Sequence, residues 1–487
     1  MVLQQASGSI RKGFHSFYLY LFVCAAIILA LTGCTPTQRF RSAPLFPSET
    51  ATKLEARTLD DPGLKAFIQK SLGRPMDWPP KAWNLRLLTL AAFYFNPQIQ
   101  VARDQVTFAQ AGETTARMHP NPSVGFSPGI PSPYLISVDF LVPVVTAGKR
   151  RYQIQQAQNL SEAARLNLAQ TLWAVRKGVR SALLNEVVAE RDLEVLRLQE
   201  QQTSQRVERI AEQVQAGELA RPVLAASRLN LINTQLAEKA SEGRVAQAKA
   251  ALAAAIGVPL SGLGNARFAW KGLEQLPSLS TLSLQQVRRQ AVLNRLDVRQ
   301  ALAQYQAAEA YLQLQIARQY PDFQIGPGYQ YEETDNFFAP SLSLTLPVFN
   351  RNQGPIAQAE AARRQAADNL VAIQAQAIAQ SEQALARYQA AYAMAQDARK
   401  ALLNIRQVQE PMARSAYAHG ESDWLTLNTV LLQGTAAASA WLNAVYQAQA
   451  ALGRLENVVQ RPLEPLDSTP LVLPGNATNL TVRGVRP

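Results

Sequence analysis

Residues 337–354, FFAPSLSLTLPVFNRNQG, contain the pattern from which the rest of the chain is interpreted. From residue 341 to residue 346, leucines alternate with serines and a threonine, and this period of two predicts a β-strand with one apolar and one polar face. Pro347 is expected at the junction of this strand with a helix, because proline cannot donate to a sheet hydrogen bond. An Ala- and Gln-rich stretch without glycine or proline predicts a long helix over residues 356–410.

The same order occurs earlier in the chain, in YLISVDFLVPVVTAG at residues 134–148. A strand is predicted over residues 134–142, with Asp139 on its polar face, and Pro143 is expected to end it at a second strand–helix junction. No proline interrupts residues 149–216, which predicts a helix of roughly 100 Å at 1.5 Å per residue.

The predicted elements recur in the same order at a fixed offset along the sequence. This indicates a tandem duplication with the order helix–strand–strand–helix–helix in each copy. The fold class is therefore expected to be mainly α with a small β part. In the first copy, the remaining predicted elements are a first helix at residues 87–118, a first strand at residues 123–127 and a return helix at residues 223–256. In the second copy, the same three elements are predicted at residues 283–320, 323–331 and 424–455.

This organisation predicts six parts along the chain. The stretch before the first copy is expected to be extended, because it is rich in Pro, Ser and Thr. The parts are a lipoprotein signal peptide (1–33), an N-terminal extended segment (34–85), repeat 1 (86–256), a connection (257–282), repeat 2 (283–460) and a Pro-rich tail (461–487).

The N-terminus has the features of an export signal. Arg11 and Lys12 precede an apolar run, residues 17–31, that is shorter than a comfortable membrane span. The run ends in Leu31-Thr32-Gly33-Cys34, which resembles the lipobox of bacterial lipoproteins and implies cleavage before Cys34 and lipidation of that residue, including palmitate. Thr35 stands where an Asp would resemble an inner-membrane retention signal, which favours the outer membrane. A signal anchor with an incidental cysteine is the alternative.

The four predicted strands carry the functional signal. Each has an apolar face and a face of Ser, Gly, Gln or Asp, as in the strands of a membrane barrel with a water-filled lumen. An open sheet edge is not tolerated in lipid, and the smallest usual barrel has about eight strands, so several copies of the chain would have to combine. A soluble four-stranded sheet on a helical bundle is the alternative.

Composition and charge argue against several other functions. The formal net charge is +12, but the basic residues are scattered among Glu and Asp and do not form the concentrated basic face that nucleic-acid binding requires. The histidines, His15, His119 and His419, have no metal-ligand spacing with cysteines or carboxylates, so no metal site is predicted. Phosphate-binding loops and nucleophile motifs are absent from the sequence, so neither a cofactor nor enzymatic activity is predicted.

From residue 85 onward the chain resembles the TolC-type outer-membrane efflux proteins. The resemblance rests on motifs that are weak singly but occur in order and in duplicate. They are Asn96-Pro97, His119-Pro120-Asn121-Pro122, Val142-Pro143, Gly148-Lys149-Arg150, Leu346-Pro347-Val348-Phe349-Asn350 and the two turn glycines Gly217 and Gly420. Residues 349–354, FNRNQG, further resemble the branch associated with cobalt–zinc–cadmium efflux.

The resemblance implies an exit duct in the bacterial outer membrane that conducts substrate without chemistry of its own. It implies a homotrimer with a twelve-stranded β-barrel in the membrane and a twelve-helix periplasmic tunnel, docked to a periplasmic adaptor protein and an inner-membrane RND pump. Multidrug export or type I secretion is the alternative for the cargo. The alternative from a different class is a non-conducting structural lipoprotein that spans the periplasm.

The resemblance also implies a constriction on the return helix just after the turn at Gly420. The matching stretch is residues 424–429, so Thr426 and Thr429 are the candidate lining residues. Glu421 and Asp423 lie at the tip and have two possible roles. Either they form an outer acidic ring, or Glu421 is a solvated charge and Asp423 is a helix N-cap. A gate closed by packing and hydrogen bonds is expected, with modest cation selectivity at most.

Overall fold

The computed structural model describes residues 40–130, 135–278 and 283–463. The chain divides into two units, Met1–Leu54 and Glu55–Pro487. The described part of the first unit contains most of helix α1 (Pro47–Glu55), none of whose residues is buried. The signal sequence with Cys34 and nearly all of the tail lie outside the described residues. Within the described ranges, no helix combines the length and the apolar character needed to cross a membrane.

The second unit alternates helices with two pairs of strands. Its helices are α2 (Pro62–Leu72), α3 (Leu85–Phe95), α4 (Pro97–Arg117), α5 (Lys149–Gln215), α6 (Arg221–Ile256), α7 (Leu284–Asn294), α8 (Leu296–Ala317), α9 (Gln353–Asn404), α10 (Glu410–Ala418) and α11 (Trp424–Val459). Its strands are β1 (Ser123–Gly129), β2 (Leu135–Val144), β3 (Phe323–Glu332) and β4 (Asp335–Leu344). The order helix–helix–strand–strand–helix–helix occurs twice, with α9 and α10 together in the place of α5.

Helix α5 is the element against which most others pack. Its 67 residues extend over roughly 100 Å, and α4, α6, α8 and α11 all lie along it. The main hydrophobic core surrounds its middle, where Val179, Leu183 and Leu252 are fully buried. A second core, between α9 and α11, is built largely of alanine, and such small side chains let the helix axes approach closely.

A buried network of charged groups joins α5 to α11 and thus the two halves of the chain. The guanidinium groups of Arg176 and Arg180 each lie 3.3 Å from the same carboxylate oxygen of Glu456. Arg180 also donates to the backbone and side-chain oxygens of Gln449, at 2.9 and 3.0 Å. Gly453 leaves room for this contact, because a Cβ there would overlap the Arg180 guanidinium.

The prediction of an extended segment over residues 34–85 is wrong, because the described part of this segment contains helices α1 and α2. Asp61 is the N-cap of α2 and accepts a hydrogen bond from the Leu64 backbone N–H at 2.8 Å. Leu64 and Ile68, four residues apart on one face of this helix, are fully buried in the main core together with Trp83. The Pro- and Ser-rich composition concealed a capped helix with ordinary apolar spacing.

The last strand begins earlier than the alternation predicts. β4 covers Asp335–Leu344, whereas a strand was expected over residues 341–346. The Tyr329 ring packs against Phe338 with 5.1 Å between centroids, and its hydroxyl donates to the Asn336 side chain at 2.6 Å. Cross-strand contacts of this kind stabilise a hairpin in a stretch whose polar composition is typical of a loop.

Three helical predictions need correction. The helix expected over residues 87–118 breaks at Asn96 into α3 and α4. The helix expected over residues 283–320 breaks at Arg295 into α7 and α8. The helix expected over residues 356–410 instead continues to Ala418, through one π-helical turn, Ile405–Gln409. This wider turn ends two residues before Pro411, which lacks an N–H and whose ring displaces a carbonyl of the preceding turn.

Candidate functional site

The four strands form one antiparallel sheet in sequence order, β1-β2-β3-β4. The paired ends Gly129 and Leu135 of β1 and β2 lie at the same end of the sheet as the β3–β4 turn, and all four connections to helices lie at the other end. Among the residues that the structure describes, β1 pairs only with β2 and β4 only with β3, so each outer strand has an open edge. An open edge leaves backbone N–H and C=O groups available to another strand.

The strand register separates the sheet into two chemically different faces. One face consists of apolar and aromatic residues apart from Asn336, and its exposed members include Val124, Phe126, Val138, Phe140, Ile325 and Leu342. The opposite face is rich in small and polar residues, among them Ser123, Ser137, Asp139, Gln324, Gln330 and Ser341. A continuous exposed apolar face requires cover by lipid or by protein.

The two prolines expected at the strand–helix junctions occupy different positions. Pro143 lies inside β2, paired with Gln324, so β2 continues past it. Proline is tolerated there because the β1 ladder reaches only as far as Leu141, which leaves one side of β2 without a neighbouring strand. β4 ends at Leu344, before Pro347 is reached.

Two glycines of β3 allow the central strands to approach each other. A Cβ on Gly326 would overlap the Phe140 carbonyl oxygen of β2. A Cβ on Gly328 would lie 2.7 Å from the Asp139 carboxylate and 2.8 Å from the Ser341 hydroxyl. That hydroxyl donates to Oδ1 of Asp139 at 2.6 Å, across β3.

At the helical end of the sheet, one lysine connects distant parts of the chain. Lys149, the first residue of α5, donates to the Tyr320 carbonyl at 2.6 Å and to Oδ1 of Asp322 at 2.8 Å. The backbone N–H of Thr146 donates to the same oxygen at 2.8 Å. Burial acts to raise the pKa of Asp322, but the hydrogen bonds from Lys149 and Thr146 outweigh it and hold the pKa below its ordinary value.

At the opposite ends of the long helices, Gly217 and Gly420 reverse the chain. Both are in the left-handed conformation, with φ of 80° and 76°. Beyond them, the Glu218 N–H donates to a carbonyl of α5 at 2.9 Å and the Glu421 N–H to a carbonyl of α10 at 2.8 Å. This is the Schellman cap, in which a residue other than glycine is disfavoured by roughly 1–2 kcal/mol.

Asp423 is the N-cap of α11, and its carboxylate accepts a hydrogen bond from the Thr426 N–H at 2.8 Å. The Thr426 hydroxyl and backbone N–H hold the pKa of Asp423 below its ordinary value. Glu421 is exposed. An acidic ring formed by these two residues requires other copies of the chain and stays a prediction.

Arg206 of α5 ties the start of α11 to the long helix. Thr426 and Thr429 are both exposed, and the Thr429 hydroxyl accepts a hydrogen bond from Nη1 of Arg206 at 2.9 Å. The same nitrogen lies 3.2 Å from Oδ1 of Asn428, whose amide donates to the Gln202 carbonyl at 3.0 Å. One candidate lining residue is therefore held by a contact between the two halves of the chain.

The sequence analysis did not single out Arg206 or Asn428. Asn428 is 1% exposed in a stretch of α11 that is otherwise mostly apolar. An amide in such apolar surroundings needs a hydrogen-bond partner, and this is the sequence signal by which Asn428 could have been found. Nothing in the sequence distinguishes Arg206 from the other arginines of α5.

A carboxylate is buried in the middle of α5. Glu186 is fully buried, and neither of its oxygens has a hydrogen-bond partner among the described residues. One turn further along, Glu190 forms an ion pair with Lys249 at 2.8 Å. Burial raises the pKa of Glu186 to about 8; the Glu190 carboxylate contributes to the rise, and Lys249 offsets part of it. Glu186 is therefore largely protonated at neutral pH.

Over residues 40–130, 135–278 and 283–463, no group of three or more His, Cys, Asp or Glu side chains is placed to hold a metal ion. His119 follows α4, and His419 follows α10 at the helical tip. The two lie in different parts of the fold.

Solved structures with a similar fold include outer membrane channels. The open state of the MtrE channel of Neisseria gonorrhoeae matches with a TM-score of 0.62 and 17% identity, over 78% of this chain and 89% of that one. CusC matches with a TM-score of 0.61 and 17% identity, over 80% and 95% of the two chains. VceC of Vibrio cholerae matches with a TM-score of 0.61 and 17% identity, over 78% and 97%. The chain has the fold of an outer membrane channel protomer, which confirms the resemblance at the level of the fold.

Among curated proteins, the cobalt-zinc-cadmium resistance protein CzcC of Cupriavidus metallidurans is 23% identical over 265 residues. The alignment covers 53% of this chain and 62% of CzcC, so it spans less than two thirds of that relative. No protein-family model matches the chain. The similarity to CzcC is a similarity of sequence, whereas the similarity to MtrE, CusC and VceC is a similarity of fold.

Proposed function

We propose that the protein is the outer-membrane exit duct of a tripartite efflux system and conducts substrate passively from the periplasm to the exterior. The observation that carries this proposal is the sheet, with its exposed apolar face, its polar face and its two open edges. Every backbone polar group must be paired in lipid, so such a sheet crosses a membrane only within a closed barrel.

Three copies of the chain would supply twelve strands and close the barrel as a homotrimer. β1 of one copy would pair with β4 of the next, with the apolar faces toward lipid and the polar faces around an aqueous lumen. The long helices would continue the duct as a twelve-helix tunnel in the periplasm. The fold shared with MtrE and CusC supports this arrangement.

The proposed cargo is heavy-metal cations. Support comes from the partial similarity to CzcC, a cobalt-zinc-cadmium resistance protein, and from the FNRNQG motif at residues 349–354. The duct would receive cargo from an inner-membrane RND pump through a periplasmic adaptor protein. A lipid on Cys34 would provide a second attachment to the outer membrane.

The helical tip is the proposed resting constriction. Its uncharged residues Thr426 and Thr429 would line it, and the hydrogen bonds from Arg206 would keep α11 against α5 in the closed state. Closure by packing and hydrogen bonds is consistent with these contacts, since the acidic Asp423 is engaged as a helix cap.

Planar-bilayer recording tests the proposed function. Detergent-purified wild type and the Arg206→Ala variant, whose tip is expected to be released, are examined for unitary conductance, and gels of unboiled samples are examined for a heat-modifiable trimer. A duct gives conductance steps and such a trimer. A folded protein that never conducts in either form would support the non-conducting structural lipoprotein instead.

A further inference from the structure

We propose that Asp139 forms a ring of three carboxylates inside the barrel and is the residue that gives the conducting pathway a preference for cations. The inference rests on the proposed function, since the ring exists only when three copies surround one lumen. It places ion selectivity in the β-part of the duct, away from the uncharged threonines of the helical tip.

Asp139 lies near the middle of β2, on the polar face of the sheet. Its partners across the two ladders are both glycines, Gly125 on β1 and Gly328 on β3. No side chain therefore stands beside the carboxylate on either neighbouring strand. This geometry leaves the charge accessible from the lumen side.

Ser341 fixes the position of this charge. Its hydroxyl reaches across β3 and donates to Oδ1 of Asp139 at 2.6 Å. The contact depends on Gly328, because a Cβ there would lie 2.7 Å from that same oxygen and 2.8 Å from the serine hydroxyl. This hydrogen bond from the Ser341 hydroxyl therefore fixes the position of the Asp139 carboxylate on the polar face.

The described strands contain no cation that could neutralise Asp139. β1 to β4 include no lysine or arginine in the residues that the structure describes. The other acids on the polar face, Glu332 and Asp335, form a cross-strand pair at the hairpin end of the sheet. Asp139 is the acid that lies midway along this face.

The dimensions of a trimeric barrel make the charge effective at low ionic strength. Twelve strands about 4.8 Å apart with a tilt of about 40° enclose a radius of roughly 12 Å. The Debye length is about 30 Å at 0.01 M salt but about 3 Å at 1 M, so the field of the ring reaches the axis only in dilute salt. Fixed negative charge in a low-dielectric wall concentrates cations in the passage.

Reversal potentials in a KCl gradient test the inference, because they report selectivity whatever the size of the conductance. The full-length trimer is compared with Asp139→Asn, which keeps the shape of the side chain and an acceptor for Ser341. The matched control, Asp335→Asn, removes the same charge at the hairpin end. In dilute KCl, the K⁺/Cl⁻ permeability ratio is expected to fall at least twofold in Asp139→Asn and to change less in Asp335→Asn. At about 1 M KCl, the ratio is expected to approach unity for all three proteins.

The possible failures are distinguishable. If all three proteins conduct and Asp139→Asn keeps the wild-type permeability ratio, the inference is wrong and the proposed duct stands. Equal losses in the two variants would show an effect of net charge alone and would also overturn it. If no form conducts, including one that carries Arg206→Ala, the proposed function fails and this inference fails with it.

Discussion

Nζ of Lys149 lies 2.8 Å from Oδ1 of Asp322, which joins the first residue of α5 to the residue that precedes β3. The lysine side chain is 8% exposed and the aspartate side chain 46% exposed. The two residues belong to different halves of the chain, so their ion pair fastens the sheet to the helices. A buried ammonium needs a partner, which makes this contact more than an ordinary surface pair.

Removal of this partner is expected to destabilise the protein. Asp322→Ala leaves the buried Lys149 ammonium without its carboxylate and should cost about 1.5–3 kcal/mol, the range for hydrogen bonds to charged groups. The control is Asp397→Ala, which breaks an exposed pair with Lys400 and should cost less than about 0.5 kcal/mol. Thermal unfolding of the purified protein measures both, and equal midpoints for the two variants would contradict the assigned role.

The two faces of β4 are expected to respond oppositely to a new charge. Leu344 pairs with Phe323 on the apolar face, and Ser343 pairs with Gln324 on the polar face. Leu344 is the last residue of β4 and lies at the helical end of the sheet, so Leu344→Lys should cost less than the about 2–4 kcal/mol expected at the bilayer midplane, whereas Ser343→Lys should be tolerated. The fraction of heat-modifiable trimer in outer-membrane preparations gives the comparison. Similar losses in both variants would refute the assignment of faces.

Gly326 is expected to be indispensable for the central ladder. Any side chain there places a Cβ on the Phe140 carbonyl oxygen, so Gly326→Ala must separate β2 from β3 and should reduce the yield of folded protein strongly. Gly178→Ala is the control, because its Cβ would meet nothing within 4 Å and the glycine lies inside a helix. That change should stabilise α5 by up to about 1 kcal/mol. A folded, fully stable Gly326→Ala protein would disprove the close approach.

Glu186 is expected to make stability fall as the pH rises from mildly acidic to mildly alkaline. Its pKa is about 8 in the folded protein, against an ordinary value of 4.5, so between these values the folded state binds more protons than the unfolded state. Stability decreases with rising pH wherever the folded state holds the extra proton.

Glu186→Gln should therefore raise the unfolding temperature at pH 8.5 by several degrees and leave it nearly unchanged at pH 4.5. The exposed Glu212, whose side chain is 65% exposed, supplies the control variant Glu212→Gln, which should not alter the pH dependence. Scanning calorimetry at the two pH values measures the difference. If the unfolding temperatures of the wild type and of Glu186→Gln change in parallel with pH, the burial of Glu186 is not the cause of the pH dependence.

Loss of the Arg206 contacts is expected to loosen the tip. Arg206→Ala removes the hydrogen bonds to Thr429 and Asn428, so α11 is less firmly held on α5 and conductance in planar bilayers should increase. Arg209→Ala, which removes a solvent-exposed pair with Glu212 one turn away, should leave the conductance unchanged. Identical recordings for both variants would place the constriction elsewhere.

Much of the fold follows from local patterns. The periodicity of two marks all four strands, and the absence of proline marks the long helix α5, which ends within one residue of its predicted limit. The turns at Gly217 and Gly420 could be located because left-handed backbone favours glycine. The helix Pro62–Leu72 was not predicted, because the Pro- and Ser-rich composition around it is typical of an extended segment although Asp61 is a recognisable N-cap.

By itself, the sequence determined the amphipathic strands, the long helices, the turn glycines and hence the channel fold, because each depends on residues close together in the chain. Only the tertiary structure decided that β2 continues past Pro143, that Arg206 holds Thr429 and that Ser341 orients Asp139. The partners in each of these two side-chain contacts are about 200 residues apart in sequence. Packing brings such residues together, and no local periodicity encodes which distant side chain will fill the space beside a given one.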